Sequence, residues 1–262
     1  MAGQSSSSSP TESSEHVLGI SFFTGAVDEA VTLHVQAGGY VVIPASPALI
    51  KLNYDAEYRR AMQGADLALA DSGLLVFLWR VAGGKKISRI SGLSYFRHLL
   101  KQDVIQGGPT FWIFPTTTAQ EKAVAWLAQR GVRIDQKSSF VAGIARSSSQ
   151  DYEILTRLEE EKPKHVIIAM AGGGQEKLAH YLRDYLLYRP SIHCIGAALG
   201  FLSGEEKAIP EWAERSHLGW VFRLFAQPGM IFPRIGIAFA LARMIFKYRS
   251  ELPPLKKRWA DL

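Results

Sequence analysis

Residues 165–187 read HVIIAMAGGGQEKLAHYLRDYLL. The run His165–Met170 is short, apolar and rich in β-branched residues, and predicts a strand buried on both faces. Three glycines follow, Gly172 to Gly174, and Gln175–Leu187 then carries the spacing of an amphipathic helix. A strand that passes through a glycine turn into a helix is the repeating unit of a parallel sheet. The same grammar recurs along the chain. Strands are predicted over Tyr40–Ile43, Asp66–Ala70, Thr110–Phe114, Val132–Ile134 and His193–Gly196. Helices are predicted over Ala26–Gln36, Ala56–Gln63, Gly73–Ala82, Ser94–Lys101, Ala119–Arg130 and Gln150–Glu161. Thr118-Ala-Gln-Glu121 has the form of a capping box, and Gly83-Gly84 that of a helix stop. The alternation predicts an α/β domain over residues 16–217: a doubly wound, mainly parallel sheet with helices on both faces.

The flanks differ in kind. Residues 1–15 (MAGQSSSSSPTESSE) are Ser-rich and predict a disordered tail. Residues 218–262 carry eight Lys or Arg against Glu251 and Asp261, which accounts for the whole formal net charge of +6. This segment predicts a short, basic, amphipathic helical appendage, divided by Pro228, Pro233, Pro253 and Pro254. Its aromatics, Trp220 to Phe246, lie between the charges and suit an anionic membrane surface better than nucleic acid. The apolar piece Ile235–Phe246 is too short to span a bilayer, which takes about 20 residues. A single cysteine, Cys194, cannot pair within the chain, reads as an inert core residue, and suits a reducing compartment.

Three strand ends could carry chemistry. Asp71 closes the run Asp66–Ala70 and precedes Ser72-Gly73 at a helix start. Ligands of parallel sheets sit beyond the C-terminal strand ends, so this carboxylate reads either as a general base or as the helix N-cap. Gly172–Gly174 followed by Gln175-Glu176 reads either as a pyrophosphate cradle or as a tight turn. A third glycine cluster, Gly196 to Gly204, follows the next strand. The seven histidines are scattered, with no HExxH and no Asp-x-Asp, so neither metal nor cofactor is expected. GxSxG, GxxxxGK[ST] and GxGxxG are also missing.

The segment from Ala56-Glu-Tyr-Arg-Arg-Ala-Met62 to Ala65-Asp-Leu-Ala-Leu-Ala-Asp71 resembles the WecG/TagA/CpsF family, glycosyltransferase family 26. So do Arg89-Ile-Ser-Gly92, Gln175-Glu-Lys177, Phe201-Leu-x-Gly204 with Pro210, and Gly219-Trp-Val-Phe-Arg-Leu224 with Pro228, in order from about Val17 to Ile235. The resemblance implies a bacterial, metal-independent, inverting glycosyltransferase. Such an enzyme moves an N-acetylhexosamine, typically N-acetylmannosamine, from a UDP-sugar donor to a polyprenyl-diphosphate-linked sugar in cell-surface polysaccharide synthesis. It places the catalytic role on Asp71 and donor binding on Gln175, with Ser72, Gly73, Arg89, Gly174 and Glu176 around the substrate. It places two appendage arginines on Arg223 and Arg234. It also implies a peripheral position on the inner face of the cell membrane, and self-association.

Some family positions are changed. Ile43-Pro44-Ala45 stands where the family has Thr-x-Asn, Asp71-Ser72-Gly73 where it has Asp-Gly, and Gly173-Gly174-Gln175-Glu176 where it has Pro-x-Gln-Glu. Gly200 replaces an aspartate, and Met230 an arginine. A divergent enzyme with another donor sugar is one reading of these changes; a non-catalytic binding or regulatory module is the other.

Overall fold

A computed structural model describes residues 14–101, 105, 108–143, 147–205 and 231–256. The elements are β1 (Ser14–Val17), β2 (Ile20–Phe23), α1 (Val27–Ala37), β3 (Gly39–Val42), α2 (Ser46–Leu49), a 3-10 turn (Ile50–Asn53), α3 (Ala56–Gln63), β4 (Leu67–Ala68), α4 (Gly73–Val81) and α5 (Gly92–Lys101). There follow β5 (Thr110–Phe114), α6 (Thr117–Ala128), β6 (Ser139–Val141), α7 (Ser148–Glu161), β7 (His165–Ile168), α8 (Gly174–Tyr185), β8 (Ser191–Cys194), α9 (Ala198–Ser203) and α10 (Ile231–Tyr248).

Among the described residues the sheet has eight strands in the order β1-β2-β4-β3-β8-β7-β5-β6. Only β1 and β2 pair antiparallel; every other neighbour is parallel. Side chains alternate between two cores, as the pleat requires. Tyr40, Val42, Ile113, Val166, Ile168 and Ile192 face α3, α4, α7, α8 and α10. Val41, Trp112, Phe114, Ile167 and Ile195 face α1, α5, α6 and α9. This is the doubly wound arrangement, and its central strands read as apolar runs because both faces are buried.

Four local expectations are corrected. Strand β1 begins at Ser14, inside the stretch expected to be disordered; residues 1–13 lie outside the described residues. Val132–Ile134 is a connector, because Gly131 turns at φ +80° and the Asp135–Ser138 turn postpones the strand to Ser139. The cap of α6 is Thr116, whose hydroxyl accepts from the Ala119 N–H at 3.1 Å, so Thr118 lies within the helix. Pro233 does not divide the appendage: α10 is one helix of 18 residues with Pro233 in its first turn. Proline is tolerated there because first-turn amides have no intrahelical acceptor. Pro228 lies outside the described residues.

Helix α10 packs on the body through Leu241, Met244 and Ile245, all buried. Its far end is tied to the β1–β2 turn, where Leu18 and Gly19 both have positive φ. The Leu18 and Gly19 amides donate to the carbonyls of Arg249 and Ser250 at 2.8 and 2.9 Å. Gly19 is needed there, since a Cβ on it would lie 2.6 Å from Leu252 Cβ.

Candidate active site

The C-terminal ends of β3, β4, β7 and β8 converge on one cleft of about 280 Å³. Its wall takes Ile43 and Ala45 from β3, Asp71 from β4, Gly172 and Gln175 from β7, and Ile195 to Ala198 from β8. Arg89, Ser91, Gly92 and Leu93 close one side, and Phe201 of α9 another. A larger hollow of about 400 Å³ lies at the opposite, N-terminal ends of β5 and β6, away from these strand ends. The convergence follows from topology, because chain order reverses between β3 and β8 and the loops above them diverge.

Of the two readings left open for Asp71, the helix N-cap is overturned, because Ser72 holds that position. The N-cap of α4 is Ser72: its Oγ accepts from the Leu75 N–H at 3.0 Å and lies 2.5 Å from Ser46 Oγ. Asp71 therefore stands before the cap, at the cleft. Beside it Arg89 forms a parallel bridge with Ala70, and its Nε donates to the Asp71 carbonyl at 2.8 Å. Ser91 starts α5, its Oγ accepting from the Ser94 N–H at 3.1 Å. Gly73 is the first residue of α4, a position where no side chain stands between the helix start and the cleft.

The β7 loop makes the tight turn that was one of the two readings of its glycines. Gly173 sits at φ +103° and Gly174 opens α8. Glu176, expected at the substrate, is fully buried and turned inward. Its Oε2 accepts from the Gly173 N–H at 2.6 Å and its Oε1 from Gln175 Nε2 at 3.2 Å. Burial raises its carboxyl above the ordinary carboxylate range, opposed by these hydrogen bonds and by nearby Lys51. Gln175 reaches the cleft wall, yet its Oε1 also accepts from the Gly196 N–H at 2.9 Å, tying the β7 and β8 loops together. Cys194, inside the fold, is buried and its thiol titrates far above the usual range because of desolvation.

A cation reaches the β7 glycine loop from a distant part of the chain. Lys51, on the 3-10 turn after α2, lies over the β7 loop with Nζ donating to the Gly172 carbonyl at 3.0 Å. A Cβ on Gly173 would fall 2.1 Å from that Nζ, so the glycine is what admits the lysine. Neither spacing nor motif marks Lys51, since the fold alone brings it to a loop more than a hundred residues away. Arg223 lies outside the described residues; Arg234 is in the first turn of α10.

Beneath the β8 loop three histidines share the core. His193 Nδ1 is 2.9 Å from the Tyr95 hydroxyl, and its Nε2 is 3.3 Å from His165 Nδ1. His34 Nε2 bonds the Ile192 carbonyl at 3.1 Å. Desolvation lowers His34 and His165 to about 4 and holds His193 well below the ordinary imidazole range. These rings are buried as neutral groups and take no part in the cleft.

A doubly wound sheet with a carboxylate, an arginine and glycine-bearing helix starts at its strand ends is an arrangement that can hold a phosphorylated ligand. The Glycosyl transferase WecG/TagA/CpsF family matches residues 15–256, and the chain belongs to that family. It is a glycosyltransferase. It is similar to an N-acetylglucosaminyldiphosphoundecaprenol N-acetyl-beta-D-mannosaminyltransferase of Bacillus spizizenii, at 25% identity over 195 residues, covering 74% of each chain.

Proposed function

We propose that the chain transfers an N-acetylhexosamine, of the N-acetylmannosamine type, from a UDP-sugar to a polyprenyl-diphosphate-linked sugar, with inversion and without a metal. The observation that carries this reading is Asp71, which stands at a strand end in the cleft while Ser72 does the capping. Asp71 takes the proton of the acceptor hydroxyl as its oxygen attacks the anomeric carbon, and the bond to the UDP phosphate oxygen breaks on the opposite face. Arg89, the α4 start at Ser72-Gly73 and the α8 start at Gly174-Gln175 offset the negative charge growing on the leaving diphosphate. Ile43 and Ala45 make part of the wall apolar, which suits a donor sugar with an apolar substituent there.

The acceptor's diphosphate needs its own cations, and Arg223 and Arg234 are proposed for it, since a guanidinium pairs phosphate oxygens bidentately. The lipid acceptor puts the work at the inner face of the cell membrane, with residues 218–249 docking there. No helix among the described residues is long and apolar enough to cross a membrane. The test is a panel of UDP-sugars offered with a lipid-diphosphate-sugar acceptor and read by mass spectrometry, with wild type beside Asp71→Asn. Sugar-dependent UDP release by wild type and its loss in the folded variant support the reading. Near wild-type turnover by Asp71→Asn removes the base from its role, and no thermal shift with millimolar UDP or UDP-sugar overturns the donor class.

A further inference from the structure

Helix α10 has two apolar faces. Leu241, Met244 and Ile245 are buried against the body, while Ile235, Phe239 and Phe246 on the other side are 40%, 74% and 51% exposed. At 3.6 residues per turn those three fall within about 40° of one another, and Arg243 and Lys247 flank them on one side. Helix α4, which packs against α10, repeats the pattern: Phe77 and Val81, one turn apart, are 59% and 58% exposed, and Arg80 lies between them in sequence. Two contacting helices thus both turn large apolar side chains to solvent, in a pair and a triplet spaced by one or two turns.

Within the two segments the sequence carries one sign of charge, although Glu15 accepts from the Lys85 N–H at 3.2 Å and Glu251 follows α10. Residues 72–92 hold Arg80, Lys85, Lys86 and Arg89 and no acid; residues 231–249 hold Arg234, Arg243, Lys247 and Arg249 and no acid. The first set is invisible in the net charge of the N-terminal part because acids elsewhere cancel it. Exposed aromatic and aliphatic side chains ringed by cations are the chemistry of an anionic lipid surface, which takes the apolar groups below its headgroups and the cations among them. Nucleic acid would leave Phe77, Val81, Ile235 and Phe239 in water.

We infer that the outer faces of α4 and α10 form one composite surface that lies on an anionic bilayer. This deepens, and rests on, the membrane part of the reading above, and adds to the appendage an element of the catalytic domain itself. Its consequence is positional. Phe77 is only about 6 Å along the helix axis from Gly73, so docking α4 holds the Asp71 strand end just above the headgroups, at the height of a sugar on a lipid diphosphate.

The full chain is labelled with an environment-sensitive fluorophore at Phe77→Cys; buried Cys194 leaves one reactive thiol. Phosphatidylglycerol-containing vesicles are expected to brighten the label and shift it to the blue, and pure phosphatidylcholine vesicles are not. Phe77→Glu with Val81→Glu, and separately Phe239→Glu with Phe246→Glu, are expected to weaken vesicle co-sedimentation about tenfold or more with thermal melts unchanged. An unchanged label, or wild-type sedimentation by the α4 variant, overturns the composite surface. So do equal binding to neutral vesicles, salt-sensitive capture of nucleic acid in place of vesicles, and vesicle-independent self-association that the same substitutions abolish. If the α4 variant fails to fold, the label decides. A wild-type chain that ignores every vesicle but glycosylates a short-chain, soluble acceptor overturns this surface and leaves the transferase reading standing; the reverse result overturns the transferase alone.

Discussion

Arg89 donates through Nε to the main-chain carbonyl of Asp71 at 2.8 Å, so the guanidinium is pinned to the backbone of the residue proposed as base. The bond fixes the direction of the guanidinium fork. Lysine keeps the charge but loses the fork. Arg89→Lys is therefore expected to lower kcat by about tenfold to a hundredfold, with a melting temperature close to wild type. Steady-state UDP release checks it, and an unchanged kcat would remove Arg89 from the leaving-group side of the reaction.

Lys51 touches the cleft's glycine loop through a carbonyl, and no ion pair within 4.0 Å holds it among the described residues. Its ammonium is expected to serve the donor diphosphate. Lys51→Met should weaken UDP binding by about tenfold, flatten its salt dependence, and leave acceptor KM unchanged. Calorimetric titration of UDP at two salt concentrations is the measurement.

Gly173 combines φ +103° with the overlying lysine. Gly173→Ala is expected to cost about 1–3 kcal/mol, mostly backbone strain, because the lysine tip can move aside. At roughly 2–4 °C per kcal/mol for a chain of this size, a melt shows it directly. Gly131→Ala, with φ +80° but open space around it, separates strain from crowding.

The three core histidines make stability depend on pH. Each is held neutral in the fold, so the folded chain binds fewer protons than the unfolded one below the ordinary imidazole pKa of 6.5. Their contribution is complete above about pH 6.5 and is lost as pH falls from there towards 4. For His34 and His165 the loss at pH 5 is on the order of 2 kcal/mol each. Urea midpoints should therefore fall between pH 7 and 5, and His34→Gln should flatten that slope.

What was legible follows from burial. Helix α3 and strand β5 match their expected bounds and β3 and β7 lie within two residues of theirs, the strands because two-sided burial leaves an apolar run. Strand β8, by contrast, is Ser191–Cys194 and shares only His193 and Cys194 with the expected run. Strand β1 was not legible, since Ser14-Glu-His-Val17 is an edge strand with little apolar signal of its own. Val132 is buried without being in a strand, so its hydrophobicity reported the core and not the period. At the cleft, Asp71 and Gln175 could be found because they follow their strands directly. Lys51, the Ser46–Ser72 pair and the clustered histidines could not, because each joins segments that only the tertiary fold brings together. Phe77 and Val81 were hidden by their neighbours: in an apolar helix, nothing local says which side faces water.

The bonds from Leu18 and Gly19 to Arg249 and Ser250 also set a clock. During synthesis the hairpin emerges first and its turn has no partner until residue 250 has left the ribosome. Until then α10 has no anchor for its far end, and the outer apolar stripe is not yet presented. Helix α10 thus takes its packed place only after the sheet that carries the cleft can already have closed.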